Sequence, residues 1–228
     1  MPMSRETERR IWLTALLLSS LAGVVIWYVE RLAAAPTSQW WAQTVAHFSF
    51  FTISTNSLIV IMAAVLLFGR GRLHDWFSSP SVQAAFSLYI AFVGLGFWLL
   101  LGGSHGMVTL MDWIPEICAH SLSPILGAVY FLRAVPKGSL TWADPVRWLI
   151  YPVLYLVYWL FHGPRVGYYP YFFVDVNAIG YGGVALWSLA LIIFLLLLGA
   201  LMVSIDHWLG KATAQSAPVV ADGVDHAS

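Results

Sequence analysis

Six polar side chains crowd the start of one strongly apolar segment. Ser49, Thr52, Ser54, Thr55, Asn56 and Ser57 lie within HFSFFTISTNSLIV, residues 47–60. Lipid satisfies no hydrogen bond, so polar groups at that depth turn inward, to hold helices together or to do chemistry. On a continuous helix Ser49, Thr52 and Asn56 share a face, with Thr55 beside them. A threonine hydroxyl becomes a useful nucleophile only with a base in reach. His120, in a later apolar segment, is the candidate base. Glu116 lies one turn before it and can hold the imidazole in one tautomer. Pro124 lies one turn after it, leaves the His120 carbonyl without its helical partner, and predicts a kink that re-aims the histidine.

Each residue also has a plainer role. Threonine in a membrane helix often bonds back to its own backbone or bridges helices. A buried histidine is often only a satisfied structural group. Thr55 competes with Thr52 as nucleophile. Asn56 can donate to an oxyanion or join two helices, and Ser123 is a further supporting candidate. His162 and Asp175 flank the aromatic run YYPYFFVD, where Asp175 is either a charge partner or the N-cap of the last helix. In that run Tyr168, Tyr169 and Phe172 are the candidate substrate contacts, within a belt that also holds Tyr171 and Phe173. Tyr151, Tyr155 and Tyr158 line one helix face suited to packing. Gly94 and Gly96 suit close helix contact, and Cys118 suits inert packing.

These residues sit in a chain that is 60% hydrophobic and 10% charged, far below the ~25% charge of soluble domains. Its formal net charge of zero gives no electrostatic footprint for nucleic acid, and its one cysteine allows no internal disulfide. Six apolar runs predict six spans: 11–29, 48–68, 82–101, 114–132, 146–161 and 179–203. The first resembles a signal peptide, but five similar runs follow and it reads as an uncleaved span. The expected architecture is an all-α integral membrane protein with six helices in one bundle over residues 1–209. Residues 210–228 read as a disordered cytoplasmic tail. Nine Lys and Arg fall at one end of the spans, against Arg31 and Arg165 at the other, which puts both termini in the cytoplasm. Thr52 and His120 then lie at similar depth near the outer surface, together with His47, His105 and His162.

Three stretches, FFTISTNSLIV, HSLSP and HGPRVGYYPYFFVD, together resemble the androgen-induced and androgen-dependent TFPI-regulating protein family and its bacterial six-span relatives, over roughly residues 10–205. The resemblance implies an integral-membrane hydrolase that cleaves fatty acid esters of hydroxy fatty acids, with Thr52 as nucleophile and His120 as its partner. It also implies a bacterial inner-membrane location and no cofactor. Where the family has an acid three positions after its threonine, this chain has Asn56 four positions after, which leaves Thr55 in play, and its His-to-Pro spacing is one residue shorter.

Hydrolysis of a membrane lipid or fatty-acyl ester near the outer leaflet is therefore the leading expectation. Two others stand beside it. One is a metal or haem protein using His47, His105, His120, His162, Asp112 and Asp175, although no two histidines stand four apart on a helix. The other is a non-catalytic lipid-binding or transport protein.

Overall fold

The computed structural model describes residues 4–102 and 109–215, with backbone alone at 110, 111 and 213–215. His105 lies outside them, as do residues 216–228 of the expected tail. Ten α-helices carry the described chain and no strand appears in it. They are α1 (Arg5–Ala33), α2 (Trp40–Phe48), α3 (Phe51–Phe68), α4 (Arg72–Ser78), α5 (Pro80–Leu100), α6 (Leu110–Ile117), α7 (Ser123–Ala134), α8 (Asp144–Trp148), α9 (Ile150–Val166) and α10 (Val176–Gln215). A five-residue π-helical turn, Cys118–Leu122, joins α6 to α7.

The helices start and stop for ordinary reasons. Ser4 caps α1 by accepting the Thr7 N–H, with Glu6 and Glu8 in the first turn and Arg31 in the last, signs that suit the helix dipole. Thr109 and Asp112 form a reciprocal capping box at the start of α6. Among the described residues, five helical stretches are long and apolar enough to cross a membrane: Arg5–Ala33, Phe51–Phe68, Pro80–Leu100, Asp112–Ala134 and Val176–Ala212. The expected fifth span, 146–161, is instead divided. It becomes the short α8, a break at Leu149, and α9 of only 17 residues. The chain is an all-α membrane protein by these five helices, which expose Leu18, Ile61, Leu99, Leu186 and Leu197. α10 runs through Gln215, so residues 210–215 extend a helix rather than begin a tail.

The core forms where α1 packs on α3 and α7, and α5 packs on α7 and α3. Small residues set these distances. A Cβ on Gly23 would lie 2.9 Å from the Ala119 Cβ, and one on Gly94 would lie 2.7 Å from the Pro124 Cβ. Glycine at both positions lets α1 and α5 close on the π turn from two sides. A hydroxyl relay reinforces the first contact. The Ser20 Oγ donates to Ser123 at 3.0 Å, Ser123 donates to Ser19 at 2.9 Å, and Ser19 donates to the Cys118 carbonyl at 3.2 Å. Ser123 is thus a structural link.

Candidate active site

The second expected span does not run unbroken from residue 48. α2 ends at Phe48 and α3 begins at Phe51. The Ser49 Oγ donates back to the Val45 carbonyl at 2.6 Å, while the Ser49 carbonyl accepts from the Tyr155 hydroxyl and the Trp159 indole, each at 3.0 Å. Capture of that carbonyl by α9 breaks the helix and removes Ser49 from the face of Thr52 and Asn56. Thr52 therefore occupies the first turn of α3, where backbone N–H groups have no helical acceptor and the dipole is positive.

Thr52 and His120 meet. The His120 Nε2 lies 3.2 Å from the Thr52 Oγ1, and both residues are buried. On the other side of the ring, the Glu116 Oε1 lies 3.1 Å from Nδ1, but off the line an N–H bond needs, so Nδ1 has no aligned partner. The spacing is still short enough for the carboxylate to favour a proton on Nδ1, which leaves Nε2 as an acceptor for the threonine hydroxyl. The ring is fixed by packing. Phe97 stacks on it at 3.9 Å between centroids and 10° between planes, and Trp27 tilts against it at 5.5 Å. Where a kink at Pro124 is expected, the backbone forms the π turn, with His120 at its centre. A wider turn absorbs the missing proline N–H and rotates His120 toward α3.

Two cavities meet at Thr52, and the second also reaches His120. One is an apolar slot between α5, α9 and α10, about 820 Å³ with its open mouth, walled by Phe92, Val93, Gly96, Leu100, Val153, Leu156 and Leu195. The other is a polar vestibule of about 1420 Å³ with its open mouth, lined by Glu30, Arg31, Gln39, Gln43, His47, Glu116 and His120. Thr52, Phe97, Leu101 and Tyr171 line both.

The remaining candidates lie elsewhere or serve the frame. The Thr55 hydroxyl bonds the Tyr151 hydroxyl at 3.0 Å, and Ser54 reaches the same phenol at 2.8 Å. The Asn56 amide donates to the Thr52 carbonyl at 2.9 Å and to the Ala119 carbonyl at 3.4 Å. Its N–H groups are thus committed to tying α3 to the π turn, which removes it as an oxyanion donor. His162 stacks on Tyr158 and lines neither cavity. The Asp175 carboxylate accepts the N–H groups of Asn177 and Ala178 at 2.9 and 3.1 Å, which makes it the cap of α10.

The three aromatic substrate contacts are also misplaced by the sequence. Tyr168 is exposed, Tyr169 is buried on Gly163 and Trp159, and Phe172 packs on Trp187. None of them lines either cavity. Tyr171 and Phe173, read as belt residues, turn inward and stack on each other at 5.1 Å. Among the described residues no three His, Cys, Asp or Glu side chains come together as a metal site would require.

His47 carries its own consequence. Its Nε2 donates to the Val24 carbonyl at 3.1 Å, and burial holds its pKa down at about 4. A histidine depressed in the folded state stabilises the fold fully above its unfolded pKa of ~6.5. That contribution is lost as pH falls from there toward about 4. Thermal unfolding in detergent is expected to weaken over that window in the wild type, and less so in His47→Gln. NMR should show the His47 ring neutral at pH 6.

Comparison with protein families, with characterised proteins and with solved structures finds no match to this chain.

Proposed function

We propose that the protein is an intramembrane lipid-ester hydrolase, with Thr52 as nucleophile and His120 as general base. One observation carries this reading: a buried threonine–histidine–glutamate series stands where an apolar slot and a polar vestibule meet. An ester with its acyl chain in the slot and its alcohol part in the vestibule presents its carbonyl carbon to the Thr52 Oγ. The histidine takes the hydroxyl proton as the Oγ–carbon bond forms. The tetrahedral intermediate then collapses, the carbon–oxygen bond to the alcohol breaks, and His120 returns the proton to the departing oxygen. Water attacks the acyl-threonine by the same route and releases the acid.

The substrate class follows the resemblance to the six-span hydrolases: fatty acid esters of hydroxy fatty acids or similar acyl esters. In this reading α9 is the sixth crossing, both termini are cytoplasmic, the site faces the outer leaflet, and the membrane is a bacterial inner membrane. The division of polar vestibule from apolar slot supports the arrangement, because an acyl chain gains by burial against the slot's apolar wall and the ester's polar end does not.

A long-chain alkyl fluorophosphonate tests the reading. Purified protein should gain one phosphonyl group, located by peptide mass spectrometry on Thr52, and Thr52→Ala should gain none. Modification at Thr55, or ester turnover that survives Thr52→Ala, would overturn it. A lipid that co-purifies and stays intact through long incubation would point to a binding protein instead.

A further inference from the structure

The first turn of α3 offers amide N–H groups beside the nucleophile, and one side chain is set against them. Tyr171 comes from the loop between α9 and α10, lines both cavities together with Thr52, and is held by Phe173 and Phe50. Its hydroxyl lies near the Thr52 hydroxyl and the start of the α3 backbone at Phe51 and Thr52. Tyr171 therefore borders the space beside Thr52 in which an oxyanion would form.

We infer that Tyr171 is a catalytic residue, its hydroxyl donating a hydrogen bond to the oxyanion formed when Thr52 attacks the ester; this rests on the hydrolase reading above. When the Oγ–carbon bond forms, the carbonyl π pair moves onto oxygen. That oxygen takes the place beside the Phe51 and Thr52 amides, and the phenol moves back toward the slot and donates to it. The phenol keeps its proton throughout, and the threonine proton goes to His120 as before. The same loop supplies Phe173 to the slot wall, so filling the slot and placing the donor are coupled.

Tyr171→Phe keeps the ring and its packing and removes only the hydroxyl. Losing one oxyanion donor is expected to lower kcat about 100-fold with KM little changed. Phosphonylation of Thr52 should slow in parallel, since that adduct also places an oxygen in the hole. A purely structural tyrosine would leave both rates unchanged. As a second variant, 3,5-difluorotyrosine at position 171 keeps the shape and makes the phenol more acidic. Activity should then be lost at lower pH than in the wild type, as the donor ionises, and an unmoved alkaline limb overturns the role. Turnover that is lost in Thr52→Ala but kept in Tyr171→Phe removes Tyr171 alone. A wild type that neither turns over ester nor labels at Thr52 removes the hydrolase reading and this role together.

Discussion

His120→Ala is expected to lower the kcat for acyl-ester cleavage by at least ~1,000-fold, toward the upper end of what a positioned general base contributes. The size follows from the surroundings of the pair. Thr52 and His120 are both buried, and a water in the vestibule is a far weaker base than the imidazole it would replace. A threonine hydroxyl alone is barely nucleophilic at neutral pH. The ring is clamped by Phe97 and Trp27, so its Nε2 stays aimed at the Thr52 Oγ1 without being ordered by substrate. Removing the imidazole leaves a space lined by Phe97 and Glu116, and among the described side chains His120 alone is hydrogen-bonded to the Thr52 hydroxyl. Glu116→Gln should fall between this variant and the wild type. Its amide can donate to Nδ1 and place the ring proton on Nε2, the wrong tautomer for accepting from Thr52. Kinetics on a p-nitrophenyl acyl ester in detergent, with thermal unfolding of each variant as a check, separates loss of chemistry from loss of fold. Equal kcat in wild type and His120→Ala would remove the histidine from the reaction.

What the sequence made legible is largely what one-dimensional position can encode. Polar side chains in apolar runs marked α3 and the π turn, and the two residues expected to pair, Thr52 and His120, do meet. Glu116, one turn before His120, followed from helical spacing alone. The misreadings occur where a distant helix decides. Ser49 falls off the Thr52 face because Tyr155 and Trp159, more than 100 residues on, hold its carbonyl. Asn56 is a strut because the Ala119 carbonyl comes within its reach. In YYPYFFVD every ring is chemically suited to line a pocket. Gly163 gives Tyr169 a seat, while Tyr171 turns toward α3, and nothing local distinguishes the two. Even the kink at Pro124 took a form the proline alone does not specify, since the π turn also depends on Gly23 and Gly94 allowing α1 and α5 to close on it.

The slot gives the second large effect. Gly96 lines it, and a Cβ placed there meets nothing within 4 Å, so a larger side chain fits α5 without pushing on its neighbours. Gly96→Phe should therefore fill the slot rather than distort the bundle, and a helix-interior glycine replaced by phenylalanine gains slightly in helix propensity. A phenyl group in the path of an acyl chain displaces about five methylenes, each worth ~0.8 kcal/mol of burial. The lost transition-state binding is ~4 kcal/mol, or roughly 1,000-fold in kcat/KM. A two- or four-carbon acyl chain does not reach that far and keeps its rate. Gly96→Phe is thus expected to invert the chain-length preference, losing long-chain esters roughly 1,000-fold while short-chain turnover holds. A variant that loses both equally has a disturbed site. One that keeps long-chain turnover shows that the acyl group lies in the vestibule, with the alcohol part between α5, α9 and α10.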